Sequence, residues 1–177
     1  MKIIRVISLS PALQLGFHPD STLVLQGRPL FMPEDGDGWQ AQICLAVKIG
    51  RLGKNISEKF APRYYDGLSC AMRLVLPSAP EMASVIDGMD SSVVHGEWLE
   101  ADKAAGPLTL SVGAVDIRLA PQAQRIAEAI SAISRYTTLK MGDIILLPAS
   151  DAMVPLEAPG RLDMQIDGLM VLSQKLV

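Results

Sequence analysis

Apolar and polar residues alternate from Trp39 to Ile49. Trp39, Ala41, Ile43, Leu45, Val47 and Ile49 point one way; Gln40, Gln42, Cys44, Ala46 and Lys48 point the other. A period of two is the signature of a β-strand, here with one greasy and one mixed face. Shorter strands are predicted at Lys2–Ile7, "KIIRVI", and at Leu68–Leu76, "LSCAMRLVL", which ends at Pro77. Ser21–Pro33 reads as two short extended pieces around Gly27-Arg28, followed by an acidic loop, Glu34–Gly38, that lacks the ligand spacing of a calcium loop. Leu108–Leu119 reads as a hairpin turning at Gly113-Ala114, and Arg161–Val177 as a second one turning at Asp167-Gly168. "LKMGDIILLP" turns at Gly142 into a further strand.

The helical period is rarer. In Pro121–Tyr136, Ile126, Ile130 and Ile133 fall at i, i+4 and i+7, which predicts one amphipathic helix with a buried stripe. "SEKFAPRYYDG" predicts a short helical segment interrupted near Pro62 and stopped by Gly67, and Ala79–Asp87 one or two helical turns. The sum is a β-rich α+β fold in a single domain, residues 1–177, without repeats or low-complexity segments.

Composition narrows the function classes. Apolar residues make up 49% and charged residues 20% of the chain, as in a globular protein with a substantial core. A net charge of −3 offers no basic stripe for nucleic acid, and no apolar run reaches the roughly 20 residues of a membrane span. Met1–Leu9 is too short, and too interrupted by Arg5, for a signal peptide. The two cysteines, Cys44 and Cys70, lie far apart without metal-type spacing, which fits a reduced, cytoplasmic chain.

Local motifs do not supply a chemistry. "GRLGKN" at Gly50 has too short a spacing before Lys54 for a phosphate loop, and no Ser or Thr follows the lysine. His18, Asp20 and Ser21 are neighbours in sequence, but triads are assembled in space. His95, before Gly96, reads as a surface or hydrogen-bonded histidine in a loop-like segment. Cys44 and Cys70 read as small buried hydrophobes, with a soft-metal site shared with a histidine as the rarer reading.

Longer motifs carry a resemblance. "FHPDSTLVLQGRPLFMP" is similar to an F-x-K-P-x-S-x-L segment with its following turn, and "QICLAVKIGRLGKNIS" to E-x-E-L-A-V-V-I-G followed by a basic turn and Asn-Ile-Ser. "YYDGLSCAMR" falls where Tyr-x-x-Gly precedes a metal ligand, and "DSSVVHGEWL" resembles a loop ending in Gly-x-Trp. "ISAISRYTTLKMGDIILLP" is similar to I-x-x-[IL]-S-x-x-x-T-L-x-P-G-D-x-I-L-T, and the C-terminal hairpin to one ending in G-x-G-x-L-x-N-x-V. Together these motifs resemble the fumarylacetoacetate hydrolase family over nearly the whole chain. Its members hydrolyse, isomerise or decarboxylate 2-keto and 1,3-diketo acids with a bound Mg²⁺ or Mn²⁺. The resemblance implies mixed β-sheets rolled into a barrel-like core with the main helix outside, and a homodimer.

The family's functional positions are substituted. Its two glutamate ligands fall on Gln42 and Cys44, and its ligand aspartate on Arg73. Its Thr-Gly-Thr-Pro segment falls on Leu147, Pro148, Ala149 and Ser150. One lysine falls on His18, a second near Asp87, and the Asn-Tyr after the first strand on Leu9 and Ser10. Hard cations require anionic oxygen, so the metal is expected to be lost and no cofactor retained.

The resemblance and its substitutions imply a catalytically degenerate, metal-free family member that binds a small anion, a keto acid or a protein partner. The alternative is an active hydrolase, decarboxylase or isomerase of the 2-hydroxyhepta-2,4-diene-1,7-dioate type, working with altered residues: His18, Arg73 and Cys44 as catalytic candidates. A purely structural role is the third reading. Ligand-binding candidates are Arg73, Gln42, Cys44, His18 and Ser150. Arg73 is expected to cap a collapsed pocket or reach solvent; the sharper alternative makes it a built-in cation in the place of the metal.

Overall fold

The computed structural model describes residues 1–177 except 26 and 35–37, and only the backbone of residue 152. Most of the acidic loop expected at Glu34–Gly38 therefore lies outside the described residues. In chain order the strands are β1 (Ile3–Ser8), β2 (Gln14–His18), β3 (Gln40–Ile49), β4 (Tyr65–Val75), β5 (Val93–His95), β6 (Leu99–Glu100), β7 (Leu108–Val112), β8 (Val115–Leu119), β9 (Ile144–Pro155), β10 (Gly160–Ile166) and β11 (Leu169–Leu176). The helices are α1 (Ala83–Gly88) and α2 (Ala123–Tyr136).

The strands form two sheets. The larger runs β2-β1-β9-β3-β4-β5, with β6 also on β4; the smaller runs β11-β10-β7-β8. Only β1 and β9 pair in parallel within these sheets; the other pairs are antiparallel. The main core combines the greasy face of β3 with the buried residues of β7, β10 and β11 and the Ile126, Ile130 and Ile133 stripe of α2. Both hairpins and the main helix stand where the sequence places them. Asp167 and Gly168 both take positive φ, 51° and 80°, which is the geometry a two-residue hairpin turn demands.

The mixed face of β3 is covered too: Cys44, a small buried hydrophobe as read from the sequence, and Ala46 are fully buried in a second apolar cluster with Ile3, Ala71, Val93, Ile144 and Leu146. Periodicity reports which residues share a face, not what later packs on it. Several sequence expectations need correction. Strand β4 begins at Tyr65, so Gly67 lies inside the strand instead of ending a helix. Its missing side chain admits Trp98, whose ring would meet a Cβ there at 3.3 Å. His95 closes strand β5 instead of sitting in a loop; its Nδ1 is 2.7 Å from the Gly96 carbonyl and its ring lies 4.5 Å from that of Trp98. Of the two extended pieces expected in Ser21–Pro33, the described residues form only single bridges, Leu23 with Val93 and Leu30 with Leu176. No helix among the described residues is long and apolar enough to cross a membrane.

Candidate functional site

The register of the large sheet builds the site. Gln42 on β3 stands directly opposite Arg73 on β4, and Cys44 opposite Ala71. The period of two then puts Gln42, Cys44, Ala71 and Arg73 on one face. Arg5 on β1 shares that face through Ile3, a member of the same buried cluster. Arg5 and Arg73 start three strand spacings apart across the sheet, about 14 Å, and are offset along it, since Arg5 is level with Ala46 and Ser69 through Leu146. The strands between them present small side chains there, including Cys44 and Pro148, which are paired across β3 and β9. Two long guanidinium side chains can therefore lean over them and approach each other.

They meet at Asp87, near the end of α1. Arg5 Nη2 donates to Asp87 Oδ2 at 2.7 Å and Arg73 Nη1 to Asp87 Oδ1 at 2.9 Å. Arg73 Nε donates to Gln42 Oε1 at 2.8 Å, and its Nη1 also approaches the Leu74 carbonyl at 3.4 Å. His18, on β2, stands with its Nε2 3.8 Å from Asp87 Oδ1, beyond hydrogen-bond reach. The side chains of Arg5, Arg73 and Asp87 are only 10%, 9% and 14% exposed, so this is an interior ion cluster. Gly16, opposite Arg5 on β2, makes room for it: a Cβ there would sit 3.0 Å from Arg5 Nη2 and 3.1 Å from Asp87 Oδ2.

Electrostatics fix the charge states. Burial pulls the His18 imidazole below its ordinary value; the carboxylate of Asp87 works against this and the two arginines reinforce it. His18 is therefore neutral at pH 7. Burial and Arg5 also lower the Arg73 guanidinium, with Asp87 opposing, but it starts so high that it stays charged. Burial pushes the Cys44 thiol up to about 12 despite Arg73, Arg5 and Arg125 nearby, so it is neither a ready nucleophile nor an anionic ligand at neutral pH. Cys70 is pushed up to about 12 in the same way.

Of the residues singled out in the sequence, Gln42, Arg73 and His18 are brought to one place, with Cys44 buried beneath them. Ser150 is half-buried in the part of β9 where the pairing skips from Met153 to Pro148, opposite Gln42 and Cys44. Arg73 is buried among its partners instead of extending into solvent, with 9% of its side chain exposed. Arg5 was the residue missed, although a charge set between the apolar pairs Ile3-Ile4 and Val6-Ile7 is a readable anomaly. As donors to a hard cation the residues fit poorly. Gln42 Oε1 is engaged by Arg73, Cys44 carries a protonated thiol, and Arg73 repels a cation. Among the described residues no group of three or more His, Cys, Asp or Glu side chains is placed to hold a metal ion.

The fold defines the class: a β-rich α+β chain of the fumarylacetoacetate hydrolase type, as the resemblance implied. No protein-family model matches the chain. Over 169 residues it is 25% identical to oxaloacetate tautomerase YcgM of Escherichia coli strain K12, covering 87% of this chain and 77% of that protein. A Yersinia pestis protein assigned to the fumarylacetoacetate hydrolase family superposes with a TM-score of 0.80 at 21% identity, over 99% of this chain and 93% of that one. The fumarylpyruvate hydrolase of Pseudomonas aeruginosa, solved in complex with Mn²⁺ and pyruvate, superposes with a TM-score of 0.77 at 19% identity, over 100% and 89%.

Proposed function

We propose that this chain is a metal-free, non-catalytic member of the fumarylacetoacetate hydrolase family that keeps an anion-binding site around Arg73. The observation that carries this reading is the Arg73 side chain itself, held between Gln42 and Asp87. Three carboxylates at the corresponding positions would give three negative charges; Gln42, Cys44 and Arg73 give one positive charge. Two unit charges about 4 Å apart interact by roughly 4 kcal/mol at a surface-like dielectric. A dication would therefore meet strong repulsion where the family's ion meets attraction. Asp87, which stands near a family lysine position, supplies the matching half of a charge inversion: cation and carboxylate have exchanged places across the site.

The hydrolytic, isomerising and decarboxylating reactions of the family all place negative charge on an oxygen that a metal can stabilise. Without the ion this chain offers two guanidinium groups sharing one carboxylate, a neutral buried imidazole and a protonated thiol. That set binds an anion better than it moves a proton.

The test is to incubate the protein with Mn²⁺ and with Mg²⁺, dialyse, and measure bound metal by elemental analysis. Oxaloacetate tautomerisation and decarboxylation are then followed by absorbance, with the E. coli tautomerase as positive control. The expected outcome is no stoichiometric metal and no acceleration over buffer. Stoichiometric Mn²⁺ with turnover that Gln42→Ala or Cys44→Ala abolishes would overturn the reading.

A further inference from the structure

The ion cluster is unbalanced. Arg5 and Arg73 share one carboxylate, and His18 adds no negative charge. Arg5 Nε and both ring nitrogens of His18 are buried without a hydrogen-bond partner among the described residues. Buried polar groups are normally satisfied, and a surplus buried charge is costly unless something pairs with it. Arg73 has a group to spare as well: its Nε and Nη1 are engaged, and Nη2 makes no hydrogen bond among the described residues.

A cavity of about 210 Å³ opens beside Arg73, between strand β4 and the segment that carries α1. Arg73 is the one charged residue among those that line it; Val75, Leu76, Ala83, Ile86 and Met153 are among its apolar walls. Drug-sized ligands need pockets of about 300–1,000 Å³, so this one suits a molecule of a few carbons. A single cation at the edge of an apolar chamber recognises a molecule with one anionic head and an uncharged tail.

We propose that this cavity binds a short-chain monocarboxylate, its head on Arg73 and its aliphatic tail against Val75, Leu76, Ile86 and Met153. The proposal rests on the metal-free reading above and sharpens it by excluding the diacids. A second carboxylate would have to lie against apolar walls without a partner. The ligand is held by charge at one end and by apolar burial at the other, and each buried CH₂ strengthens binding roughly fourfold.

The experiment is calorimetric titration of metal-free protein with 4-methylpentanoate, acetate, 4-methylpentanamide and oxaloacetate. 4-Methylpentanoate is expected to bind at least tenfold more tightly than each of the other three. Arg73→Gln is expected to weaken it at least tenfold. Ala83→Leu, at an exposed position of α1 that lines the cavity, is expected to erase the preference over acetate. The acid–amide comparison needs no variant, so it decides the matter even if Arg73→Gln does not fold. No heat with 4-methylpentanoate at tens of millimolar, equal binding of acid and amide, or equal binding of oxaloacetate would each overturn the proposal. A parallel titration with Mn²⁺ separates the two readings. Bound Mn²⁺ that creates oxaloacetate affinity sinks the metal-free reading; absence of both Mn²⁺ and 4-methylpentanoate binding sinks only this one.

Discussion

Asp87 keeps two guanidinium groups together that would otherwise repel one another over the face of the sheet. It contacts Arg5 and Arg73 through different oxygens, so neither arginine can be satisfied at the other's expense. Removing one partner of a buried pair leaves an uncompensated charge, at a cost of about 3–5 kcal/mol. Here the carboxylate is slightly exposed and two cations are orphaned at once. Asp87→Asn is therefore expected to lower the unfolding free energy by about 3 kcal/mol, measured by urea denaturation at pH 7. Arg73→Gln should cost less, since Arg5 still holds Asp87. A cost for Asp87→Asn below that of Arg73→Gln would show that the carboxylate is not the centre of the cluster.

At the scale of elements, the cluster depends on strands from both sides of β9. Gly16 on β2 permits the close approach of Arg5 and Asp87, and its backbone is not in the left-handed region, so an alanine there is opposed only by contact. The contact is tight, and the groups that must yield are the two partners of an ion pair. Gly16→Ala is expected to cost about 1 kcal/mol net of the entropy it saves in the unfolded chain. In an Asp87→Ala background the cost should shrink, because one of the groups that must yield is gone and Arg5 is free to move. Additive costs in that double-mutant cycle would mean that Gly16 matters for some other reason. This dependence also explains what the sequence could and could not reveal. Strand β3, both hairpins and α2 were legible because local periodicity and turn residues set them. Strands β2, β5 and β6 were not, because each is five residues or shorter and is held by pairing with a distant neighbour. Gln42, Cys44 and Arg73 were singled out by the resemblance, and the register of β3 and β4 places all three on one face. Their link to Arg5 was not legible, since nothing local to "KIIRVI" fixes which strands will separate it from β4.

At the scale of the whole molecule, the large sheet is tied together by a contact between segments far apart in sequence. Strand β1 pairs in parallel with β9, and Asp143, just ahead of β9, receives the start of β1. Its Oδ1 accepts from the Lys2 amide at 2.8 Å; its Oδ2 accepts from Lys2 Nζ at 2.6 Å and from the Lys140 amide at 2.9 Å. Burial pushes the Asp143 carboxyl up, but the hydrogen bonds from Lys2 and Lys140 outweigh it and hold the group below its ordinary value. A carboxyl depressed in the folded state contributes stability that is complete above its unfolded pKa, about 3.9, and is lost as pH falls through the lower folded value. The wild type should therefore lose stability steeply below about pH 4. Asp143→Asn should lose about 2–3 kcal/mol at pH 7, since it gives up a charge-assisted anchor for three donors, and should show a shallower acid limb. The two proteins' unfolding free energies should converge as pH falls below about 3.9 and the wild-type carboxyl protonates. Parallel pH profiles, measured by urea denaturation from pH 7 to pH 2, would mean that the β1–β9 contact is held by sheet hydrogen bonds and apolar packing, with Asp143 contributing no charge-dependent part.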